Sequence, residues 1–441
     1  MSLDGEAEVR SPLRALFSQQ LVRAGLASYA FTFAILVSNL LGGIIAARAL
    51  APDGRGASVA IVMVMQLGGV VASVGAVTTL AYHAAREPHN AGRLHGTWLV
   101  ILVPLSIAGI VLAELLLPVL FSAQSAHTIY LARIFLLSIV LVLWGQVNNG
   151  LLLGLHEFTL YNLLRFLQTA LSTLAFAVLW QLDALTVESS LVVWSATQLA
   201  LDLVGSARLL RTAGIGRPSR DLARRTLHYG VRAHGDAVAG TLNTRLDLVI
   251  LPAYVAATGV GLYSVAANVS LIVNMLATSL AALVMPSAAR DQERGPRTIV
   301  LSLQATLALA GVSALVLFVG AEIALSTIYG DAFRSATDTL RLLLPGTVMY
   351  AGATVLAAGL HSAGRPFRAT TGQLAGAAVT LVGLVVFLPS GGITAAAVVS
   401  TIAYSAVFVA NLLAYRRTVG LEWRDFAEPP RALRRRAAGG A

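Results

Sequence analysis

Long apolar runs broken by short polar interruptions fill this chain from end to end. A helix needs about 20 mainly apolar residues to cross the hydrocarbon core of a bilayer. By that measure the pattern predicts twelve membrane-spanning helices: 22–48, 57–82, 97–119, 128–154, 160–182, 187–209, 227–253, 260–285, 298–319, 335–360, 368–388 and 393–415. The first 20 residues carry Asp4, Glu6, Glu8, Arg10 and Arg14. The apolar run that follows is too long for a signal peptide and no small-residue cleavage site closes it, so the first span is expected to stay in the mature protein.

Composition agrees. The 441 residues are 57% hydrophobic and 12% charged, half the charge of an ordinary soluble domain, about 25%. All 31 basic residues are arginine, and there is neither lysine nor cysteine. The missing lysine excludes a conventional P-loop ATPase and Schiff-base chemistry. The missing cysteine excludes disulfides and thiolate metal sites. The reading is an all-α polytopic membrane protein.

The arginines set the expected orientation. Twenty-two of the 31 fall on the side of the amino terminus, including six between Arg208 and Arg225 and seven from Arg416 to Arg436. The opposite side has only Arg48 and Arg55. The positive-inside rule then puts both termini in the cytoplasm. Topology and anionic lipid account for the net charge of +10, so no nucleic-acid partner is expected.

The two halves echo each other. Gly54-Arg55-Gly56 with Ser58-Val59-Ala60 resembles Gly259-Val260-Gly261 with Ser264-Val265-Ala266. Ala84-Ala85-Arg86-Glu87 matches Ala288-Ala289-Arg290-Asp291, and Gly154-Leu155-His156 matches Gly359-Leu360-His361. All offsets lie between 204 and 206 residues. The expected organisation is a cytoplasmic segment 1–21, a six-helix bundle 22–209, a basic linker 210–226, a second six-helix bundle 227–415 and a basic tail 416–441. With an even number of spans each, the bundles share one orientation. They are therefore related by a pseudo-two-fold axis along the membrane normal, with the substrate site expected between them.

Several segments resemble the multidrug/oligosaccharidyl-lipid/polysaccharide exporter superfamily, and within it the polysaccharide flippase branch. Arg48-Ala-Leu-Ala-Pro52-Asp-Gly-Arg-Gly56 resembles that branch's R-x-L-G-P-x-x-x-G segment, with Ala51 where glycine is usual. Asp247 through Gly261-Leu-Tyr-Ser-Val-Ala-Ala267 resembles its D…G-x-Y-x-x-A segment, and Pro286 the proline that follows. Ile328-Tyr-Gly330 with Phe333 resembles its Y-G-x-x-F stretch. The resemblance implies a flippase, not an enzyme, that carries a lipid-linked oligosaccharide across a bacterial plasma membrane by alternating access. It implies no cofactor, and partners limited to the lipid-linked glycan, the bilayer, and glycosyltransferases or a polymerase of the same pathway.

Such a substrate needs fixed positive charge for a diphosphate, which arginine binds bidentately, and hydrogen-bonding groups for sugar. Arg23, Arg133, Arg165, Arg232, Arg245, Arg334 and Arg341 lie within or at the margins of spans. An ionised residue at a helix centre costs about 2.5–3.5 kcal/mol in lipid, so such residues face protein or water. The seventh span is the most polar. At about 100° per residue, Arg232, Asp236, Asn243 and Asp247 share one stripe, and Arg245 points to nearly the opposite side. Two readings stay open: a cavity wall, or internal pairs that lock helices together. Arg232, Arg245 and Arg23 are the expected diphosphate ligands. Asn243, Asn268 and Gln66 are expected to meet sugar hydroxyls. Asp236 and Asp247 are expected to pair with arginine or to carry a coupling proton or sodium.

Other clusters read as structural. Ser28, Thr32 and Asn39, or Ser270, Asn274 and Thr278, suit helix packing. Arg334, Asp338 and Arg341 read as a charge-paired helix end. His83, His89 and His95 have no metal-ligand spacing, and Gly372–Gly376 reads as a close helix contact. The competing functions are a cation-coupled drug exporter of the same superfamily, which wants net negative charge in its cavity, and a membrane-embedded glycosyltransferase or polymerase, which wants a large external loop.

Overall fold

The computed structural model describes residues 11–290 and 295–427, with side chains outside 11–29, 233, 236, 237, 239, 275–290, 366 and 427. The described residues are mostly helical, with no strand among them. The helices are α1 (Ser11–Ala72), α2 (Ala76–Arg86), α3 (Ala91–Leu120), α4 (Ala126–Phe135), α5 (Ile139–Gly154), α6 (Phe158–Gln181), α7 (Val187–Thr212), α8 (Arg220–Ile250), α9 (Ala257–Arg290), α10 (Gly295–Ala324), α11 (Thr337–Ser362), α12 (Pro366–Val419) and α13 (Trp423–Ala427).

The predicted spans fall on helix, with the second, 57–82, interrupted by a turn at 73–75 between α1 and α2. Among the described residues nine helical stretches are long and apolar enough to cross a membrane. Two of these, Ala30–Ala72 and Phe367–Val419, are 43 and 53 residues long, enough for two crossings each at 1.5 Å per residue. Both bend where the pattern separates two spans. The first bends at Ala51, with φ 53° and ψ 178°, next to Pro52. The second bends at Gly392, with φ 53°, three residues after Pro389. Helix α8 completes the set of twelve and lies outside those nine stretches because of its charge.

Burial is inverted relative to a soluble protein. Val100, Val103, Ile107, Val111, Leu115 and Val119 stand exposed along one face of α3, and Val312, Leu315, Val316, Val319 and Ile323 along α10. Apolar stripes of this length at helical spacing are lipid-facing surface. The expectation of an all-α polytopic membrane fold is met.

The chain forms two compact units. One comprises Met1–Ala46, Gly68–Val111 and Leu137–His234; the other comprises Ala47–Leu67, Leu112–Leu136 and Gly235–Ala441. In the first unit α2 packs on the start of α8. Gly75, at φ 70°, and Gly230 let the backbones meet, since a Cβ on Gly230 would stand 2.3 Å from the Val74 carbonyl oxygen. The rings of Tyr82 and Tyr229 stack there, with centroids 4.6 Å apart.

In the second unit α11 is the central helix, and Leu340, Leu343, Leu344, Val355, Leu356 and Leu360 are buried along it. The Gly372–Gly376 contact forms as expected within α12, across its bend. Cβ atoms there would lie 2.3 Å from Asn411 Oδ1 and Val407 Cγ2.

Candidate functional site

Two of the predicted residues come together with side chains from three other helices. Asn243 on α8 is 3% exposed and its Nδ2 donates to Gln373 Oε1 of α12 at 2.7 Å. One turn on, Asp247 is 6% exposed. It accepts from the Tyr263 hydroxyl of α9 at 2.5 Å, from the backbone N–H of Leu248 at 2.8 Å, and from Ser400 Oγ of α12 at 3.4 Å. Tyr263 and Ser400 are also 3.0 Å apart. Tyr350 of α11 and Tyr404 of α12 pack beside them with ring centroids 4.8 Å apart. Asp247 and Tyr263 are the acid and the tyrosine of the D…G-x-Y-x-x-A segment, so the spacing of that motif records a side-chain hydrogen bond.

Two hydroxyls and one N–H give this carboxyl group three hydrogen-bond donors. The partners of Asp247 are neutral donors rather than the arginine that pairing would have required. Gln373, Ser400, Tyr350 and Tyr404 went unnoticed in the sequence. Gln373 sits inside the Gly372–Gly376 pattern, and a lone amide in an apolar helix was the available signal.

Among the described side chains, none of the remaining predicted residues joins this cluster in a hydrogen bond. Arg232 on α8 and Gln66 on α1 are exposed. Arg245 on α8 and Asn268 on α9 are half-buried. Arg23 and Asp236 lie on α1 and α8, with side chains outside the described residues. Other arginines are taken up locally: Arg133 by Glu114 at 2.9 Å, Arg334 by Glu322, Arg341 by Asp338 at 3.6 Å, and Arg165 over the ring of Tyr161.

A second arrangement in the same unit concerns the repeat. Gly56 on α1 and Gly261 on α9 are 205 residues apart in the sequence and meet where the two helices cross. A Cβ on Gly56 would lie 1.7 Å from the carbonyl oxygen of Ala257, and one on Gly261 would lie 1.9 Å from that of Pro52. Pro52 and Ala257 are themselves repeat-related, as are Asp53 and Thr258, whose side chains bond at 3.3 Å. The crossing is therefore two-fold symmetric, the arrangement by which a duplicated segment pairs with its own copy. Around it, Arg48 donates to the carbonyl oxygens of Ile328 (2.8 Å) and Thr327. Gln124 donates to those of Pro252 (2.9 Å) and Val255 (2.8 Å), and Ser122 to that of Ala253 at 2.7 Å.

The histidines take separate places. His83 packs edge-on against Tyr82 and Tyr229, His95 reaches the Gly214 carbonyl oxygen at 3.2 Å, and His89 lies beside Asn90. Burial pushes the His83 imidazole below its usual value, ahead of the opposing effect of Glu87. Among the described residues no group of three or more His, Asp or Glu is placed to hold a metal ion.

A chain of lipid-facing helices with a buried polar cluster and a two-fold crossing of segments 205 residues apart belongs to the class of multi-pass α-helical membrane proteins. The same fold occurs in a lipid II flippase, MurJ, in an inward closed conformation: 14% identity, 91% of this chain and 89% of that one, TM-score 0.75. An inward-facing multidrug resistance MATE transporter of the MOP superfamily has it too, at 15% identity, 88% and 94% coverage and TM-score 0.70. A MOP superfamily transporter from Pyrococcus furiosus, described as having a binding pocket of reverse polarity, aligns at 13% identity, 92% and 96% coverage and TM-score 0.58. No curated protein sequence matches. Residues 23–338 match the family described as polysaccharide biosynthesis protein, and the chain belongs to that family.

Proposed function

We propose that this protein is a flippase that moves a polyprenyl-diphosphate-linked oligosaccharide across a bacterial plasma membrane, with both termini in the cytoplasm. Membership of a polysaccharide biosynthesis family and the fold likeness to a lipid II flippase support this reading. The observation that carries it is the Gly56–Gly261 crossing. It lies on the side that the arginine pattern assigns to the outside, and the Gly75–Gly230 contact lies on the cytoplasmic side. Each contact is backbone against backbone at a few residues, so each can part with little loss of side-chain packing. Alternate opening of two such contacts passes a headgroup while the lipid tail stays in the bilayer.

Arg232 and Arg245, with Arg23, are the proposed diphosphate ligands, and Gln66 and Asn268 the proposed sugar contacts. Asn243, whose Nδ2 is held by Gln373 and whose Oδ1 has no hydrogen-bond partner, is the third proposed sugar contact. Asp247, satisfied where it is, holds α8 against α9 and α12.

The test is headgroup accessibility in proteoliposomes. With a polyprenyl-diphosphate oligosaccharide in one leaflet, an impermeant sugar-oxidising reagent reaches it faster with protein present, and Arg245→Ala loses that acceleration at unchanged protein level. No acceleration with several glycans, alongside cation-driven efflux of a dye, replaces this reading by the drug-exporter one.

A further inference from the structure

The first unit holds a polar seam that the proposed substrate path does not use. Ser195, Gln198, Asp202 and Ser206 recur at three- and four-residue steps along α7 and share one face of it. That face meets α5 and the turn before it. Ser195 bonds Ser138 at 2.9 Å. Gln198 Nε2 donates to both carboxylate oxygens of Asp202, at 3.1 and 3.0 Å. Asn148 Nδ2 donates to the backbone oxygen of Asp202 at 2.9 Å, Ser206 Oγ to Asn148 Oδ1 at 3.2 Å, and Trp144 Nε1 to Ser206 Oγ at 2.9 Å. Gly145 keeps the space open: a Cβ there would stand 2.8 Å from Gln198 Nε2 and 3.1 Å from Asp202 Oδ1. From Ser195 to Ser206 the seam runs roughly 16 Å along the helix axis.

Asp202 is 5% exposed, and among the described residues its carboxylate has no counter-cation. Helix α5 carries no charged residue. On α6, Arg165 sits over Tyr161, and on α7 itself Arg208 is 2.5 Å from Glu157; Glu188 and Arg211 lie at the two ends of α7. The contrast with Asp247 decides the assignment. Asp247 has three separate donors, two of them hydroxyls, and the charge of Arg245 on its own helix acts on it. Asp202 has only neutral side-chain amides, those of Gln198 and Asn148, and among the described residues no cation acts on it, which leaves the cost of a buried anion uncompensated. A protonated Asp202 removes that cost, because carboxylic acid and primary amide pair through two hydrogen bonds once the Gln198 amide is turned, an orientation that X···X distances alone do not fix.

We infer that Asp202 is a proton-binding site of this transporter, occupied when α5 and α7 are closed on it and emptied into water along the Ser138–Trp144 seam when they part. The step is one O–H bond broken on the carboxyl and the proton passed to water, with no other reactant. Its link to translocation rests on the flippase reading; the site itself does not.

The first test is infrared difference spectroscopy of the full chain in lipid nanodiscs between acid and alkaline pH. A carboxylic-acid C=O band that titrates is expected in the parent, lost in Asp202→Asn and kept in Asp247→Asn. Gln198→Leu keeps the band and shifts it, since the acid loses its amide partner; that variant decides the matter if Asp202→Asn fails to fold. A band unchanged in both Asp202→Asn and Gln198→Leu overturns the assignment, as a purely structural seam would give. In proteoliposomes, flipping of a fluorescent polyprenyl-diphosphate sugar is expected to change with an imposed pH gradient in the parent and to be insensitive to it in Asp202→Asn. Loss of the infrared band with no flipping by the parent sustains the proton site and sinks the flippase reading. Equal gradient dependence in parent and Asp202→Asn overturns the link.

Discussion

Gly56→Ala is the substitution whose effect the structure fixes most closely. Its new methyl would begin 1.7 Å from the Ala257 carbonyl oxygen and 2.7 Å from the Gly261 nitrogen, both backbone atoms. Real Cβ contacts do not fall below 3.0 Å, so α1 and α9 must separate by about 1.3 Å at the crossing, because no side chain can swing away instead. Overpacking of this kind costs about 1–3 kcal/mol. Charged against the closed contact, that lowers its population roughly 5- to 150-fold.

The assay uses the absence of native cysteine. Asp53→Cys with Thr258→Cys replaces two side chains that now meet at 3.3 Å, and oxidative cross-linking reports closure without background. The rate should fall by the same factor when alanine stands at position 56. Gly261→Ala should do the same from the other side, its Cβ meeting the Pro52 oxygen at 1.9 Å. Because one separation relieves both clashes, the double variant should fall short of the product of the two. Gly311→Ala, where a Cβ meets nothing within 4 Å, should leave the rate alone. Cross-linking in Gly56→Ala within twofold of the parent would refute the reasoning, since the backbones would then have room that the geometry denies.

Two further outcomes follow from local geometry. Ala51→Gly removes a positive-φ alanine at φ 53°, ψ 178°. Relief of about 1–3 kcal/mol of strain, less about 0.4–1 kcal/mol for the freer unfolded chain, should raise the unfolding midpoint in detergent; a lower midpoint would show that alanine is unstrained there. Acidification should loosen α2 against α8. Burial favours neutral His83, so its contribution is complete above the usual histidine value of about 6.5 and lost as pH falls below it. Hydrogen exchange of α2 should speed up at mildly acid pH, and His83→Gln should remove that pH dependence; an equal acid response in His83→Gln would assign it elsewhere.

The order of apolar runs determined the helices by itself. No water is available inside a bilayer to satisfy backbone groups, so a run of about 20 apolar residues has one structure open to it. Even the bends at Ala51 and Gly392 fell where polar residues, Pro52 and Pro389 separated the runs. The 205-residue echo between the halves was legible too, but the contact between its two copies was not. That Gly56 meets the Ala257 carbonyl oxygen and Gly261 that of Pro52 is a property of two helices crossing, which no local spacing encodes.

The same limit applies to the polar stripe of α8. Periodicity placed Asn243 and Asp247 on one face, yet which neighbour that face meets depends on α9 and α12, whose contributing residues lie 16 to 153 positions away from Asp247. Asp202 went unremarked in the sequence for a related reason. A single acid in an apolar helix has the same local pattern whether hydroxyls and a nearby arginine match it or neutral amides alone. Only the packing of α5 on α7, with Gly145 leaving the gap, decides which form of the carboxyl the protein can hold.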